Sequence, residues 1–418
     1  MQQAPQPTKL AERIGSLDFL RGIAILGILV MNIEAFSYPE PMSPFKYGFE
    51  SEVDRTVRFW VYFLAQGKFF SMFTLLFGVG FYIFLERLEK KNYGLRAMDI
   101  YARRLLWLFI FGIFHAYLIW NHDVLYHYAA CGFFLFPFRT FRIRQLLVTL
   151  LVPVGILLYH SWTTTSENRK QQQDYNRLIQ IGESRRSEED RGKIARWEDK
   201  TREKESEVWD RVIPRQSLVE SWKANARYTR VHEGKIFYHF AFFRTFMMML
   251  LGVLLYKSGI FRDYRKYRYY WGFTGSLLLF ALVINYLWYE HQTYAYFKPV
   301  TGIWKGLLTT FHSEALGVSY VLILNGLYQK YLDKLKFKPL SMAGKMALTN
   351  YISQSIICGL VFYGYGFAQF NRYSRSELLL WVGGIWTVQL IISSLWMRHF
   401  SQGPLEWLWR KLTYRSFN

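Results

Sequence analysis

The sequence predicts an all-α protein, a polytopic transmembrane helix bundle of about ten spans with a charged, helical extracytoplasmic insert. Three observations carry this. Apolar runs of roughly 17–25 residues recur along the chain, the length that crosses about 30 Å of hydrocarbon at ~1.5 Å per residue. Of the 418 residues 51% are hydrophobic and 19% aromatic, yet the mean hydropathy is only +0.01, because one long polar segment dilutes the apolar runs. Lys and Arg gather in alternate short loops, the asymmetry that orients membrane proteins. The first observation excludes a soluble globular core.

The segment Met1 to Glu12 is polar and Pro-bearing, and no small-residue cleavage pattern follows the first apolar run, so that run is expected to be a retained helix. It covers Leu17–Phe36 and gives way to a stretch with Pro39, Pro41 and Pro44. A second span begins near Val57, is interrupted at Gln66-Gly67-Lys68 and continues through Phe69–Leu85. A lysine there is costly in lipid, so Lys68 should face protein, water or the interface. The third span, Arg104–Trp120, leads through the tight link Asn121-His122-Asp123 into a short fourth, Val124–Phe138, and a fifth runs over Leu146–Ser161 through Pro153. After the insert come Ile236–Tyr256, Tyr270–Tyr289, Thr301–Leu327, Ala347–Phe367 and Leu378–Trp396. Three parts result: a first membrane group over 1–162, the insert over 163–235, and a second membrane group over 236–418 ending in an amphipathic cytoplasmic segment.

One set of alternate loops carries Arg87, Lys90, Lys91, Arg103 and Arg104, then Arg139, Arg142 and Arg144, then Lys257, Arg262, Arg265, Lys266 and Arg268, then Lys330, Lys334, Lys336 and Lys338. The positive-inside rule places that set, and with it both termini, in the cytoplasm. The insert Thr163–Lys235 holds 17 basic and 14 acidic residues, and a long loop translocates largely regardless of charge, so it is expected outside. Between Asn168 and Trp222 it has almost no Gly or Pro, with Leu178, Ile181, Ile194, Trp197, Val208 and Val212 at helix-compatible spacings, which predicts helices with solvated faces. The net charge of +21 lies beside membrane spans, pointing to anionic lipid headgroups or a phosphorylated cytosolic ligand and away from nucleic acid. Cys131 and Cys358 sit inside apolar runs and read as small core residues.

Ionisable residues inside spans are the candidates for chemistry, because burial there is expensive. Asp18 and Arg21 are three apart on one helix face and can pair at the cytoplasmic edge, as a positioning ion pair or as part of a substrate site. Asn32 lies 14 residues further, about 21 Å up the helix, as a helix-helix contact or a ligand contact. His115 and His122 are seven apart and share a face if the helix continues. Asp123 can orient an imidazole acting as general base, although Asn and Asp are also common cap and turn formers. In the eighth span His312 and Glu314 fall near mid-depth, and His239 and Arg244 enter the sixth span from outside. Arg244 would lie roughly 12 Å deep and needs an anionic partner, Asp123 or Glu314. His127 lies one turn into the fourth span. No HxxxH or HExxH pair is present, so no metal is expected. His115, Asp123, His312 and Glu314 are the expected catalytic groups, and Asn32, His122, His239 and Arg244 the expected substrate contacts. All should converge on one polar cavity between the first, third, sixth and eighth helices. Asp18, Arg21, Arg103 and Arg104, with Arg13 and Lys345 on the same rim, are expected to hold a phosphorylated donor at the opposite mouth.

Several motifs coincide in order. They are Leu17-Asp18-x-Leu-Arg21-Gly22 through Gly27 to Met31-Asn32, Gly67-Lys68-Phe69-Phe70-Ser71-Met72-Phe73 leading to Leu76-Phe77-Gly78-Val79-Gly80, and Gly112-x-x-His115 followed by Asp123-Val124-Leu125 and Tyr128-Ala129. Gly344-Lys345-Met346-Ala347-Leu348-Thr349-Asn350-Tyr351 with Gln354-Ser355, and Gly403-Pro404-Leu405-Glu406-Trp407-Leu408-Trp409-Arg410, complete the set. Together they resemble the YeiB-like family of bacterial inner-membrane proteins over nearly the whole chain outside the insert. The first motif also resembles the opening helix of transmembrane acyltransferases, including the heparan-α-glucosaminide N-acetyltransferases, which pass an acyl group from cytosolic acyl-CoA to an acceptor on the far side. In that group a histidine shortly after the first helix is implicated in catalysis, together with the asparagine matching Asn32. This chain departs there, since Ser37–Asp54 contains no histidine, and again at His122, where the YeiB-like motif usually has Gly.

The resemblance implies a multi-pass protein of the bacterial inner membrane that moves an acyl group from cytoplasmic acyl-CoA to an extracytoplasmic or lipid-linked acceptor. Its expected partners are membrane lipids, the acyl donor, the acceptor and a second copy of the chain as a homodimer, and no nucleic acid. The competing classes are a transporter or lipid or small-molecule binder, in which the same charges line a passage, and a scaffold whose working part is the insert.

Overall fold

In the computed structural model the described residues, which are 14–38, 51–90, 95–201, 217–238, 241–294, 298–331 and 338–414, are mainly helical and contain no strand. His239 and Arg13 lie outside the described residues. Helix α1 (Gly15–Ser37) crosses from the basic end, where the Lys- and Arg-rich turns gather, to the opposite, insert end. There α2 (Glu52–Leu64) starts under a Ser51 cap that accepts the Asp54 amide. Gly67, at φ +77°, turns the chain between α2 and α3 (Lys68–Lys90), a conformation only glycine adopts readily. Helix α4 (Leu95–Phe114) returns and widens into a π-helical turn over His115–Ile119. The short α5 (Leu125–Leu135) and a 3-10 turn over Phe136–Thr140 lead back to the basic end.

Helix α6 (Ile143–Leu178) has 36 residues, about 54 Å, so it outruns the hydrocarbon and continues unbroken through Pro153 and past position 162 into the insert. The insert adds α7 (Glu188–Thr201) and α8 (Leu218–Tyr238), and α8 in turn runs across position 235, so both expected part boundaries fall inside continuous helices. The second group is α9 (Ala241–Ser258), α10 (Tyr270–Tyr294), α11 (Ile303–Thr309), α12 (His312–Tyr331), α13 (Lys338–Lys345), α14 (Ala347–Phe362), α15 (Arg375–His399) and the amphipathic α16 (Pro404–Tyr414). The expected eighth span is therefore two helices broken at Thr310-Phe311.

Among the described residues eight helical stretches are long and apolar enough to cross a membrane. The other two expected spans are the 11-residue α5 and the 16-residue α14, too short alone for about 30 Å. Each packs one face on the bundle, where Tyr128, Ala129 and Cys131 of α5 and Cys358 of α14 are at 0% exposure, and leaves apolar side chains such as Phe134 and Leu360 exposed on the other. The core joins α1, α3, α4, α5, α9 and α12 through residues such as Leu20, Leu75, Leu105, Tyr128, Leu250 and Val321. Helix α13 packs on the start of α1 backbone to backbone, since a Cβ on Gly22 would overlap the Leu340 carbonyl and one on Gly344 that of Asp18. That contact sets the floor of the basic end, beside which the main cavity opens.

Candidate functional site

A cavity of about 260 Å³ runs inward from the basic end between α1, α3, α4, α13, α14 and α16. At its outer part Ile14 and Tyr414, at the two ends of the described chain, line it together with Arg21, Arg87, Arg104, Lys345 and Arg410. Asp18, paired with Arg21 at 3.0 Å, and Glu406 are the carboxylates in this wall. The Arg104 guanidinium lies against the rings of Trp409 (3.8 Å) and Phe84 (4.6 Å), and Trp409 donates its indole N–H to the Arg104 carbonyl at 2.8 Å. Helix α16 is fastened over the cavity by Glu406, whose carboxylate accepts the amides of Leu348 (2.7 Å) and Thr349 (3.1 Å) and the Thr349 hydroxyl (2.6 Å). Burial pushes the Glu406 carboxyl up, against the lowering effect of those hydrogen bonds. Further in, the walls are Phe73, Phe77, Phe81, Leu108 and Leu125, and Tyr351 lies at the inner limit.

Beyond Tyr351 sits His115. The two rings are 5.0 Å apart, and the histidine is 1% exposed. Its Nδ1 lies 2.8 Å from Asp123 Oδ1, an electrostatic contact that is not a well-aligned hydrogen bond, and neither ring nitrogen has a hydrogen-bond partner among the described residues. Asp123 Oδ2 accepts the Tyr126 amide at 3.0 Å at the start of α5, so the carboxylate caps a helix with one oxygen and faces the imidazole with the other. The capping and catalytic roles weighed for Asp123 are thus compatible. Gly112 permits the approach, because a Cβ there would overlap the Tyr126 amide. The π-helical turn starts at His115 itself, and such turns are frequent where a side chain must be re-aimed. The Tyr351 hydroxyl also has no hydrogen-bond partner among the described residues. A chain of aromatic hydroxyl, imidazole and carboxylate at the inner end of a cation-rimmed cavity can take a proton from a nucleophile and hold the resulting cation against Asp123.

The remaining candidates assemble elsewhere. Arg244 on α9 pairs with Glu314 and donates to the Thr310 carbonyl at 2.7 Å, clamping the break between α11 and α12. Ser313 donates to Glu314 at 3.1 Å. His312 stacks on Trp288 at 4.2 Å and bonds the Thr309 carbonyl at 2.8 Å through Nδ1. Lys68, at 0% exposure, donates to the Tyr62 carbonyl at 2.9 Å and lies 5.0 Å from the Trp288 ring. This cluster is built around Thr310 and Trp288, whereas His115 meets Asp123 and Tyr351, so among the described residues the expectation of one convergent site is corrected to two groups. The reason is the helix break: Thr310 frees a carbonyl that Arg244 satisfies locally, and the pair turns inward on itself. Of the expected donor contacts, Asp18, Arg21, Arg104 and Lys345 line the cavity, whereas Arg103 does not and pairs with Asp99 at 2.6 Å. His122 is exposed at the insert end, between Asn121 (2.7 Å) and the Tyr228 hydroxyl (3.3 Å). Asn32 is half-buried late in α1 and outside the cavity. His127 bonds Thr245 across α5 and α9 at 2.9 Å.

Sequence reasoning missed a third group. At the insert end Glu34 pairs with Arg375, both essentially buried, and accepts the Tyr62 hydroxyl at 3.1 Å. Arg58, at 0% exposure, stacks on the Tyr62 ring at 4.2 Å and donates to Thr293 at 3.1 Å, and Asp54 accepts the Ser376 amide and hydroxyl at 2.9 and 2.8 Å. An acidic residue at position 34 inside the first apolar run was the available signal. Both cysteines are buried thiols.

Residues 255–416 match a family described as a protein of unknown function, DUF418. The chain is 32% identical over 424 residues to the uncharacterized protein YxaH of Bacillus subtilis (strain 168), covering 99% of this chain and 97% of that one. It is 28% identical over 421 residues to the uncharacterized protein YeiB of Escherichia coli (strain K12), covering 97% of each. An uncharacterized 39.9 kDa protein in the amylase 3′ region of Bacillus acidopullulyticus is 29% identical over 413 residues, covering 98% of this chain and 96% of that one. No solved structure matches the chain.

Proposed function

We propose, from the premise that this chain belongs to the DUF418 family of YxaH and YeiB, that it is a membrane-embedded acyltransferase whose donor is a cytosolic acyl-CoA. The observation that carries the reading is the cavity that leads from Arg21, Arg87, Arg104, Lys345 and Arg410 past an aromatic wall to Tyr351, with His115 and Asp123 directly behind. Donor phosphates suit the cations, and the acyl chain suits the Phe and Leu wall. In the step itself His115 takes the proton of an acceptor hydroxyl or amine, whose oxygen or nitrogen attacks the thioester carbonyl. The carbon–sulfur bond then breaks, and the CoA thiolate leaves with the proton that His115 returns. Asp123 orients the ring and stabilises the imidazolium between these transfers. The orientation that goes with this reading puts the basic end in the cytoplasm of a bacterial inner membrane, in line with the positive-inside rule.

Purified protein incubated with labelled acyl-CoA of several chain lengths tests it. Binding, together with thioester turnover that falls about 100-fold or more in His115→Ala, is the expected result. Absence of both CoA binding and turnover at every chain length overturns the reading. A second reading, a passage for a small solute, is favoured by the way two broken helices meet where Gly67 faces Ser313.

A further inference from the structure

The insert helix α8 lies against the π-helical turn that begins at His115, and the face it turns inward is polar. Ser221, Asn225 and Thr229 follow one another at one-turn spacing and are 1%, 0% and 2% exposed. A helix packing merely for stability would bring apolar residues to such a face. Thr229 has a local reason to be polar: the π-helical turn leaves a carbonyl without its usual i+4 donor, and the Thr229 hydroxyl reaches the Ala116 carbonyl at 3.4 Å. Asn225, one turn nearer the insert end, has no such reason. Neither its Nδ2 nor its Oδ1 has a hydrogen-bond partner among the described residues, although the side chain is fully buried. The same junction holds two more buried donors or acceptors in that condition, the indole N–H of Trp120 just after the turn and Nε2 of His115 at its start. A buried amide left without partners is destabilising by about the desolvation penalty of its two polar atoms, so a protein keeps one chiefly where something else fills it.

We infer that Asn225 is an acceptor-binding residue, its carboxamide giving and receiving a hydrogen bond to a neutral hydroxyl group of a lipid-linked sugar that reaches the π-helical turn from the insert end. Three features fix the class. A carboxamide both donates and accepts, which matches a hydroxyl and suits neither a bare cation nor a bare anion. Ser221 and Thr229, one turn to either side of it on the same buried face, are uncharged. Tyr228, on the next turn of α8, contacts the exposed His122 at the insert end, the end of the molecule opposite the donor cations. The inference rests on the acyltransferase reading for its use of the bound hydroxyl, but binding itself can be measured without turnover.

The experiment compares the full-length protein in phosphatidylcholine nanodiscs with its Asn225→Leu and Asn225→Ala variants, scoring retention of monoglucosyl diacylglycerol against plain diacylglycerol by native mass spectrometry. Wild type should retain the glucosyl lipid preferentially. Both variants should hold it about tenfold more weakly, the loss expected for one or two hydrogen bonds to a desolvated hydroxyl, while Asn225→Leu melts at or above the wild-type temperature. Equal retention of the two lipids by wild type overturns the inference, and so does undiminished retention in the variants. Asn225→Ala carries the comparison if the leucine fails to fit. Wild-type CoA binding and thioester turnover are scored separately: selective sugar binding with neither of them would leave this inference standing and remove the transferase reading, and turnover with no Asn225-dependent binding would do the reverse.

Discussion

Glu34 and Arg375 are 341 positions apart in the chain and meet with side-chain exposures of 4% and 0%. Removing one member of such a pair leaves the other charge buried without its ion partner, so Arg375→Met should lower stability by about 3–5 kcal/mol. Combining it with Glu34→Leu should recover much of the loss, a double-mutant cycle read by thermal melting in detergent. Neither sequence distance nor spacing could have paired them, because only the three-dimensional path of α1 and α15 brings them together. That Asp123 could orient an imidazole was legible from its place in the short link after the third span, whereas the identity of the ring as His115, eight positions back, came from the fold. What was not legible is the division of labour: Asp123→Asn keeps the Tyr126 cap through its remaining carbonyl oxygen and loses the charge facing the ring. We therefore expect Asp123→Asn to fold like wild type and to lose about 100-fold in acyl transfer, whereas Asp123→Ala should lose stability as well, by about 1 kcal/mol.

At the scale of elements the apolar runs mark the spans well, because a helix that must satisfy its own backbone in lipid leaves a long uninterrupted signature. Three things escape that signature. The break at Thr310-Phe311 carries no Gly or Pro, and it becomes visible only when Arg244 is seen to satisfy the freed Thr310 carbonyl. The π-helical turn after His115 differs from an α-helix by a single widened turn, to which hydrophobic periodicity is blind. Helix α13 is an eight-residue segment that reads as a loop, yet it packs on α1 through Gly22 and Gly344. Gly344→Leu would drive a side chain into the Asp18 carbonyl, so it should destabilise the bundle by about 3 kcal/mol and collapse the neighbouring cavity. Loss of acyl-CoA binding together with a lower melting temperature is the expected result, and a variant that melts like wild type would show that α13 stands off from α1.

The molecule as a whole separates two kinds of polarity. One end carries the dense cations and the cavity they rim, while the other carries buried ion pairs, the polar seam of α8 and an insert whose 17 basic and 14 acidic residues nearly cancel. The insert contributes only +3 of the net charge of +21, and the cations that rim the cavity attract anionic headgroups and phosphorylated metabolites and oppose transfer across a membrane whose cytoplasmic side is negative. The donor reading needs that end in the cytosol, where acyl-CoA is found. Cysteine labelling decides the matter, because Cys131 and Cys358 are buried and should stay silent toward a membrane-impermeant maleimide. Ser187 at the start of α7 and Ser401 between α15 and α16 are both exposed and mark opposite ends. In intact cells with a permeabilised outer barrier, Ser187→Cys should label and Ser401→Cys should not, and opening the membrane should expose the second site. The reverse pattern would put Arg104, Lys345 and Arg410 outside, out of reach of cytosolic acyl-CoA, and the proposed donor would have to be replaced by an anion of the external compartment.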